Sequence, residues 1–207
     1  MSEMGLLIGL TGGIASGKST VAGLLSDAQI PIVDTDQLSR ELVEPGTPAL
    51  MAIVDAFGPS ILQPDHQLDR GALRKRILAD PHARRLLEEI LHPPIRQLAQ
   101  ARARHLAETH PIVVIVIPLL AEESVYPHYR WLDHIVAVTT TPALQHARLL
   151  TRPGIDGQQA DQLLQAQVRD DRRRAIADFC LDNSGDLAHL QRQVGALLRE
   201  LQKRITD

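Results

Sequence analysis

The most constraining feature of the sequence is a glycine-rich segment near its start. Residues 12–19 read Gly-Gly-Ile-Ala-Ser-Gly-Lys-Ser, which matches the pattern G-x-x-x-x-G-K-[ST]. The apolar run Leu6–Leu10 before it predicts a buried strand, and apolar residues at helical spacing follow from Lys18. A strand, such a loop and a helix in this order favour binding of nucleotide phosphates, because backbone N–H groups and the helix dipole face the anion. The alternative is an ordinary glycine-rich turn.

Each residue type in this loop has an expected role. Gly12 and Gly17 should allow the backbone angles that turn the chain around a phosphate. Lys18 should reach the β- and γ-phosphates, and the Ser19 hydroxyl should coordinate Mg²⁺. The predicted nucleotide-binding residues of the loop are Gly12, Gly13, Ile14, Ala15, Ser16, Gly17, Lys18, Ser19 and Thr20.

Two missing signatures narrow the class of nucleotide-binding protein. A guanine-reading N-K-x-D loop is absent, since Asn183 is the chain's single asparagine and Ser184 follows it. No acidic residue lies within Ile112–Ile117 or directly after it, so the aspartate that ATPases usually carry on such a strand is also absent. We therefore expect Mg²⁺ to rely on Ser19, phosphate oxygens and water, with an acid elsewhere in the chain as an open alternative.

Short apolar runs alternate with helical patterns along the chain. The predicted strands are 6–10, 30–33, 112–117, 134–139 and 179–181. Strands separated by helices predict an α/β fold, a parallel sheet with helices on both faces. The helical stretch at about 37–110 is predicted to be an insertion in one domain covering 1–207, with a break at Pro93-Pro94. Residues 158–176 are predicted to form one helix, and Cys180 to be buried.

Composition limits the remaining classes. The chain has 207 residues, 44% of them hydrophobic, and a net charge of −3. This charge argues against nucleic-acid binding by bulk charge, and the single cysteine excludes an internal disulfide. No apolar run approaches membrane-spanning length, and the nine histidines form no metal-binding pattern. We expect a cytoplasmic protein, monomeric or weakly homo-oligomeric, without nucleic-acid or membrane partners.

An acidic pair, Asp34 and Asp36, follows the second predicted strand. Ligands of open parallel sheets bind beyond the carboxyl ends of the strands, and phosphoryl transfer to an alcohol needs a carboxylate that takes the hydroxyl proton. We interpret Asp36 as that base; the alternative is that it is the N-cap of the following helix. Arg40 lies one helical turn further on, where it would hold Asp36, grip a substrate anion or form a surface ion pair.

With these segments in hand, the chain from about Leu6 to Leu201 resembles the dephospho-coenzyme A kinases. The segments that carry the resemblance are 9–14 with 18–20, Asp34-Thr35-Asp36 with Arg40, 43–46, Leu91-His92-Pro93, Pro118-Leu119-Leu120 with Glu122, Arg148, Arg152, Gln167 and 182–185. Ala15 departs from the glycine usual in the family, and we expect ordinary backbone angles there. The resemblance implies transfer of a phosphoryl group from ATP to the ribose 3′-hydroxyl of dephospho-coenzyme A, with Mg²⁺.

The resemblance also implies a P-loop nucleotide-binding core, a helical substrate-binding part and a lid at about 148–170. The expected catalytic residues are Asp36, Lys18 and Arg148. The expected substrate-binding residues are Thr11, Asp36, Arg40, His92, Pro118, Leu119, Leu120 and Arg152. Asn183 is expected to contact the nucleotide, with a tight turn as the alternative. For Arg148 and Arg152 the alternative is a solvated helix end, for His92 it is a structural role, and Arg172 is a weaker candidate for phosphate contact.

Two other functions remain open at this point. One is a different small-molecule kinase with the same loop, acting on a nucleotide or a sugar acid. The other is an ATP-dependent switch whose partner is a protein. The helical insertion, the arginines of the expected lid and Asp36 favour transfer to a small molecule over switching.

Overall fold

The computed structural model describes residues 4–206, in which the chain divides into two compact units. The first comprises the chain up to Val33 and from Ala103 onward, and the second is Asp34–Arg102. The second unit overlaps the helical stretch expected at about 37–110, and the domain organisation expected from the sequence stays a prediction. Among residues 4–206, no helix is long and apolar enough to cross a lipid bilayer.

The first unit is built on a five-stranded sheet in the order β2-β3-β1-β4-β5. The strands are β1 Leu6–Gly12, β2 Ile32–Asp34, β3 Ile112–Val116, β4 His134–Thr139 and β5 Phe179–Asp182. The central strand β1 runs parallel to β3, with Leu6 opposite Ile112, and to β4, with Ile8 opposite His134. All five predicted strands and the parallel arrangement are confirmed.

Both faces of the central strands are covered, as uniformly apolar sequences predict. Every residue of β3 is buried. On one face, Ile8 and Leu10 of β1 pack in one apolar cluster with Val21 and Leu190. The helices of this unit are α1 Lys18–Asp27, the end of α5 Pro81–Ala107, α6 Pro142–Leu150, α7 Gly157–Ala166, α8 Asp170–Ile176 and α9 Leu187–Thr206.

The second unit is helical and has its own apolar cluster. Its helices are α2 Thr35–Glu41, α3 Pro48–Phe57, α4 Arg70–Ala79 and most of α5. Ile53 and Phe57 of α3 pack with Leu73 of α4 in this cluster. Asp69 is the N-cap of α4, and its Oδ1 accepts a hydrogen bond from the Ala72 N–H at 2.9 Å.

Three local predictions are wrong. Helix α5 continues through Pro93 and Pro94; each proline removes one backbone donor, but the helix has about three turns on either side of them. The predicted helix 158–176 is divided into α7 and α8 because Gln167 adopts an extended conformation. Cys180 is exposed, because β5 is an edge strand whose alternate residue, Leu181, takes the buried position.

Candidate active site

The glycine-rich loop connects the end of β1 at Gly12 to the start of α1 at Lys18. Gly17 has φ +98, a left-handed conformation that favours glycine. Gly12 has no such angle, so the expectation for it is corrected: its requirement is space. A Cβ at position 12 would lie 2.5 Å from the Val138 carbonyl oxygen and 2.7 Å from Ser16 Oγ.

Ala15 also differs from the sequence-based expectation. Its φ is +54, in the left-handed region that non-glycine residues adopt at a cost of roughly 1–2 kcal/mol. The carbonyl of Ala15 accepts a hydrogen bond from the Arg148 guanidinium at 3.2 Å. The alanine is therefore held in a backbone conformation that a glycine would adopt more readily.

The carbonyl groups of the loop are held by side chains from α6 and from the segment after β5. Gln145 Nε2 donates to Ile14 O at 2.8 Å, and Arg148 donates to Ala15 O. Asn183 Nδ2 donates to Ser16 O at 2.8 Å. Across a trans peptide, the N–H of one residue points opposite to the carbonyl of the residue before it. Fixing these carbonyls therefore fixes the directions in which the next N–H groups donate, as an anion-binding loop requires.

Polar side chains of the loop complete this arrangement. Lys18 Nζ donates to the carbonyls of Gly12 and Gly13 at 2.7 and 2.9 Å, so its ammonium group lies against the loop. Ser16 Oγ is buried and has no hydrogen-bond partner in the part of the chain that the structure describes. Buried hydroxyls usually have a partner, and this one lies on the Gly12 side of the loop, 2.7 Å from where a Cβ at position 12 would stand. Ser19 is exposed at the first turn of α1.

A cavity of about 380 Å³ adjoins the loop. It is lined by Ala15, Gly17, Ser19, Thr20, Arg148, Arg152, Asn183, Gly185 and Leu187. Its walls thus combine loop backbone, two guanidinium groups and the exposed apolar side chain of Leu187. The Asn183 side chain holds Gly17 closely, since a Cβ at position 17 would lie 2.0 Å from Asn183 Nδ2. The arrangement suits a planar base beside a polyanion.

These contacts join the glycine-rich loop, α6 and the segment after β5 into one site, and similarity to known proteins indicates which family uses it. The family described as dephospho-CoA kinase matches residues 6–189. A protein of Xanthomonas campestris named dephospho-CoA kinase is 46% identical over 191 residues, which cover 92% of this chain and 91% of the relative. The chain belongs to the dephospho-CoA kinase family. A relative with the same name from Moorella thermoacetica is 44% identical over 97% of this chain and 94% of its own.

Solved structures share the fold of this chain. The crystal structure of a Thermus thermophilus protein, 31% identical, superposes with a TM-score of 0.79 over 96% of this chain and 99% of that one. A shikimate kinase from Bacteroides thetaiotaomicron, 16% identical, superposes with a TM-score of 0.52 over 95% and 98%, and shows likeness of fold alone. The comparisons confirm the predicted family and the predicted fold of a P-loop kinase. They also confirm the predicted enzyme class, which is a phosphotransferase with an alcohol acceptor.

Asp36 and Arg40 lie in the second unit, both exposed on α2. The N-cap of α2 is Asp34, whose Oδ1 accepts the Asp36 N–H at 2.8 Å. The capping role considered for Asp36 therefore belongs to Asp34. On the same helix, the hydrogen bond from Arg102 lowers the pKa of Glu41. The predicted substrate residue His92 is half-buried on α5.

The other predicted substrate residues of the dephospho-CoA kinase pattern lie in the first unit. Leu119 is exposed and Pro118 is half-buried, just beyond β3. Thr11 and Leu120 have no exposed surface, and Thr11 donates to the Pro118 carbonyl at 3.4 Å. The expectation for these two is corrected: their side chains support the strand and the loop from inside and offer no surface to a ligand in this structure.

The expectation for Arg172 also changes. Arg172 donates to the Ala121 carbonyl and pairs with Glu123 at 2.7 Å, beyond β3. Its neighbour Arg173 is buried instead, paired with Asp170 and hydrogen-bonded to Gln167 beside the glycine-rich loop. A charged run on a short helix does not reveal which arginine faces inward, so sequence reasoning missed Arg173.

Gln145 was also missed, and Gln167 was noted without a role. Gln145 stands on α6, whose residues at helical spacing gave no reason to select an amide. The signal available for Gln167 was the resemblance alone. Within residues 4–206, no group of three or more His, Cys, Asp or Glu residues is arranged to hold a metal ion.

Proposed function

We propose that this chain transfers the γ-phosphoryl group of ATP to the ribose 3′-hydroxyl of dephospho-coenzyme A, giving coenzyme A and ADP in the last step of coenzyme A biosynthesis. The observation that carries the proposal is a strand–loop–helix phosphate site with fixed backbone groups, in a chain of the dephospho-CoA kinase family. Phosphoryl transfer depends mainly on positioning and on stabilising charge, and the loop offers both.

ATP is proposed to bind with its phosphates on the glycine-rich loop and its base in the adjoining cavity. The N–H groups of the loop, the start of α1 and Lys18 supply positive potential for the phosphates. Leu187 supplies an apolar wall and Asn183 a rigid polar edge for the base. Arg148, anchored on two loop carbonyls, and the exposed Arg152 place positive charge beside the same cavity.

Mg²⁺ is proposed to bind through the Ser19 hydroxyl, phosphate oxygens and water. The fit is supported by the exposure of Ser19 on the cavity wall next to Lys18. When bound, Mg²⁺ neutralises charge on the phosphates. Ser19→Ala should therefore raise the Mg²⁺ concentration needed for half-maximal turnover, and an unchanged Mg²⁺ titration would remove Ser19 from the metal site.

Asp36 is proposed to accept the proton of the acceptor hydroxyl. Two observations support this role: the carboxylate is exposed in the first turn of α2, and capping of that helix is performed by Asp34. The helical unit, with Arg40 and His92, is proposed to bind dephospho-coenzyme A. Pro118 and Leu119 are proposed to contact the substrate from the loop after β3, and the segment 148–170 to act as the lid.

The remaining expectations belong to the same proposal. A cytoplasmic, monomeric or weakly associating enzyme with small-molecule substrates fits a chain with one cysteine and a net charge of −3. No observation favours the alternative of a nucleotide or sugar-acid kinase, because the solved shikimate kinase shares only the fold.

The decisive experiment measures ADP release in a coupled assay with dephospho-coenzyme A, adenosine or coenzyme A as acceptor. We expect rapid, Mg²⁺-dependent release with dephospho-coenzyme A only, and a product with one additional phosphate by mass spectrometry. Coenzyme A is the matched control, since its 3′ position already carries the phosphate. Equal rates with all three acceptors, or hydrolysis without any acceptor, would contradict the proposal.

A further inference from the structure

Two glutamines hold both polar backbone atoms of Ile14 in the middle of the glycine-rich loop. Gln167 Oε1 accepts the Ile14 N–H at 2.9 Å, and Gln145 Nε2 donates to the Ile14 carbonyl at 2.8 Å. Gln145 is buried on α6 and Gln167 follows α7. Two glutamines that are 131 and 153 residues away from Ile14 in sequence therefore bind its carbonyl and its N–H, respectively.

A buried arginine, Arg173, fixes the orientation of Gln167. Arg173 is 5% exposed and donates to Gln167 Oε1 at 3.2 Å, while it pairs with Asp170 at 2.9 Å. An arginine has no acceptor, so the amide must present its oxygen to Arg173. That same oxygen is then available to the Ile14 N–H, and the orientation of the amide follows from the charge beside it.

The geometry of one peptide shows which side of the loop Gln167 occupies. The Gly13 carbonyl accepts a hydrogen bond from Lys18 Nζ. Because no peptide among the described residues is cis, the Ile14 N–H points away from that carbonyl and hence away from the ammonium group. Gln167 thus binds the face of the loop opposite to Lys18, the residue that would meet phosphate.

Gly13 makes room for this arrangement. A Cβ at position 13 would lie 2.6 Å from Gln145 Nε2 and 2.8 Å from Gln167 Oε1, closer than real Cβ contacts. Gly13 has no left-handed backbone angle, so conformational freedom does not explain a glycine here. The close approach of the two glutamines explains it.

We propose that Gln145 and Gln167 are positioning residues that fix the two peptide groups on either side of Ile14. Arg173 orients Gln167 for this role. Fixing these two peptide groups in turn fixes the directions of the loop N–H groups that bind phosphate. They act on the loop backbone from behind and do not touch the nucleotide. The consequence for ATP binding rests on the function proposed above, whereas the consequence for the Ile14 backbone does not. Loss of one such hydrogen bond should change ATP affinity by roughly 3- to 10-fold.

The polarity of the two hydrogen bonds gives a matched test. Gln167→Glu and Gln145→Glu each place a carboxylate next to Ile14, and a carboxylate accepts hydrogen bonds and does not donate them. At position 167 the carboxylate also lies against the Arg173 guanidinium, which is 3.2 Å from Gln167 Oε1. Gln167→Glu should keep ATP affinity within about 3-fold of the parent, because the acceptor for Ile14 N–H is retained. Gln145→Glu should weaken ATP binding by about 10-fold or more, because the donor to the Ile14 carbonyl is lost. If the buried charge impairs folding, the neutral variant Gln145→Met replaces it, and this variant should also bind ATP more weakly than the parent.

Two outcomes would overturn the proposal. Equal losses in the two glutamate variants would mean that added charge alone matters. Tighter ATP binding by Gln167→Met would mean that Gln167 competes with the nucleotide for the Ile14 N–H. Hydrogen exchange of the Ile14 amide, measured by NMR without nucleotide, keeps the test independent of turnover. We expect slow exchange in the parent and in Gln167→Glu, and exchange at least about 10-fold faster in Gln167→Met; equal exchange in all three would also refute the positioning role.

Discussion

The glycine-rich loop of the sheet unit and the first turn of α2 in the helical unit carry the two halves of the proposed chemistry, and they are built differently. The loop is held by Gln145, Gln167 and Asn183, which lie 131 to 167 residues away from it in sequence. Asp36 stands on a helix whose cap, Asp34, is two residues away. The comparison teaches that one site depends on long-range polar contacts and the other on local ones.

Two substitutions should have the largest effects on turnover, and the first of them is in the loop. Lys18→Ala should lower turnover by at least about 10²–10³-fold, because it removes a cation from the charge that develops in transfer. Thermal melting should stay close to that of the parent. Lys75→Ala, at an exposed position of α4 in the other unit, is the control and should leave turnover unchanged. Near-normal turnover of the Lys18 variant would refute the phosphate-loop assignment.

The helical unit should respond in turnover without a change in ATP affinity. Asp36→Asn should slow turnover by about 10²–10⁴-fold, because it removes a general base. Equilibrium binding of ATP and the melting temperature should be preserved, since Asp34 provides the cap.

The control for Asp36 is its neighbour. Asp34→Ala should cost about 1 kcal/mol of stability through loss of the N-cap, measured by urea denaturation, while most turnover is retained. If Asp36→Asn turned over like the parent, Asp34 would become the candidate base.

Stability of the helical unit should depend on its apolar cluster. Ile53→Ala should lower the free energy of unfolding by about 2–5 kcal/mol, because a fully buried side chain leaves a cavity. Met51 of the same helix is 58% exposed, and Met51→Ala should change stability by less than about 0.5 kcal/mol. Similar losses for the two variants in urea denaturation would argue against the buried cluster.

The smallest effect tests backbone strain in the loop. Ala15→Gly should raise the free energy of unfolding by about 0.5–1 kcal/mol, since relief of the left-handed angle exceeds the entropy that glycine adds to the unfolded chain. Ala22→Gly, within α1, should have the opposite sign and cost about 1 kcal/mol. Calorimetry of both variants measures the change in the free energy of unfolding. A lower free energy of unfolding in both variants would show that Ala15 is unstrained.

The contrast between long-range contacts in the loop and local contacts in α2 explains what could be predicted from the sequence. The strands of the parallel sheet and the helix that starts at Lys18 follow from local patterns, and the structure confirms them. The division between α7 and α8 could not be predicted, because Gln167 is drawn out of the helix by a partner 153 residues away. Local patterns likewise do not reveal that Ala15 is left-handed or that Arg173 faces inward, since both depend on tertiary contacts.

The closeness of Gly17 to Asn183 has a consequence for how this loop can evolve. A side chain at position 17 meets two separate obstacles, a left-handed φ of +98 and an amide nitrogen 2.0 Å from the new Cβ. Shortening Asn183 would remove the second obstacle and leave the first, and it would also release the Ser16 carbonyl. A side chain at position 17 therefore carries a backbone cost that no change at Asn183 removes, and a change at Asn183 adds the loss of the contact that holds the Ser16 carbonyl.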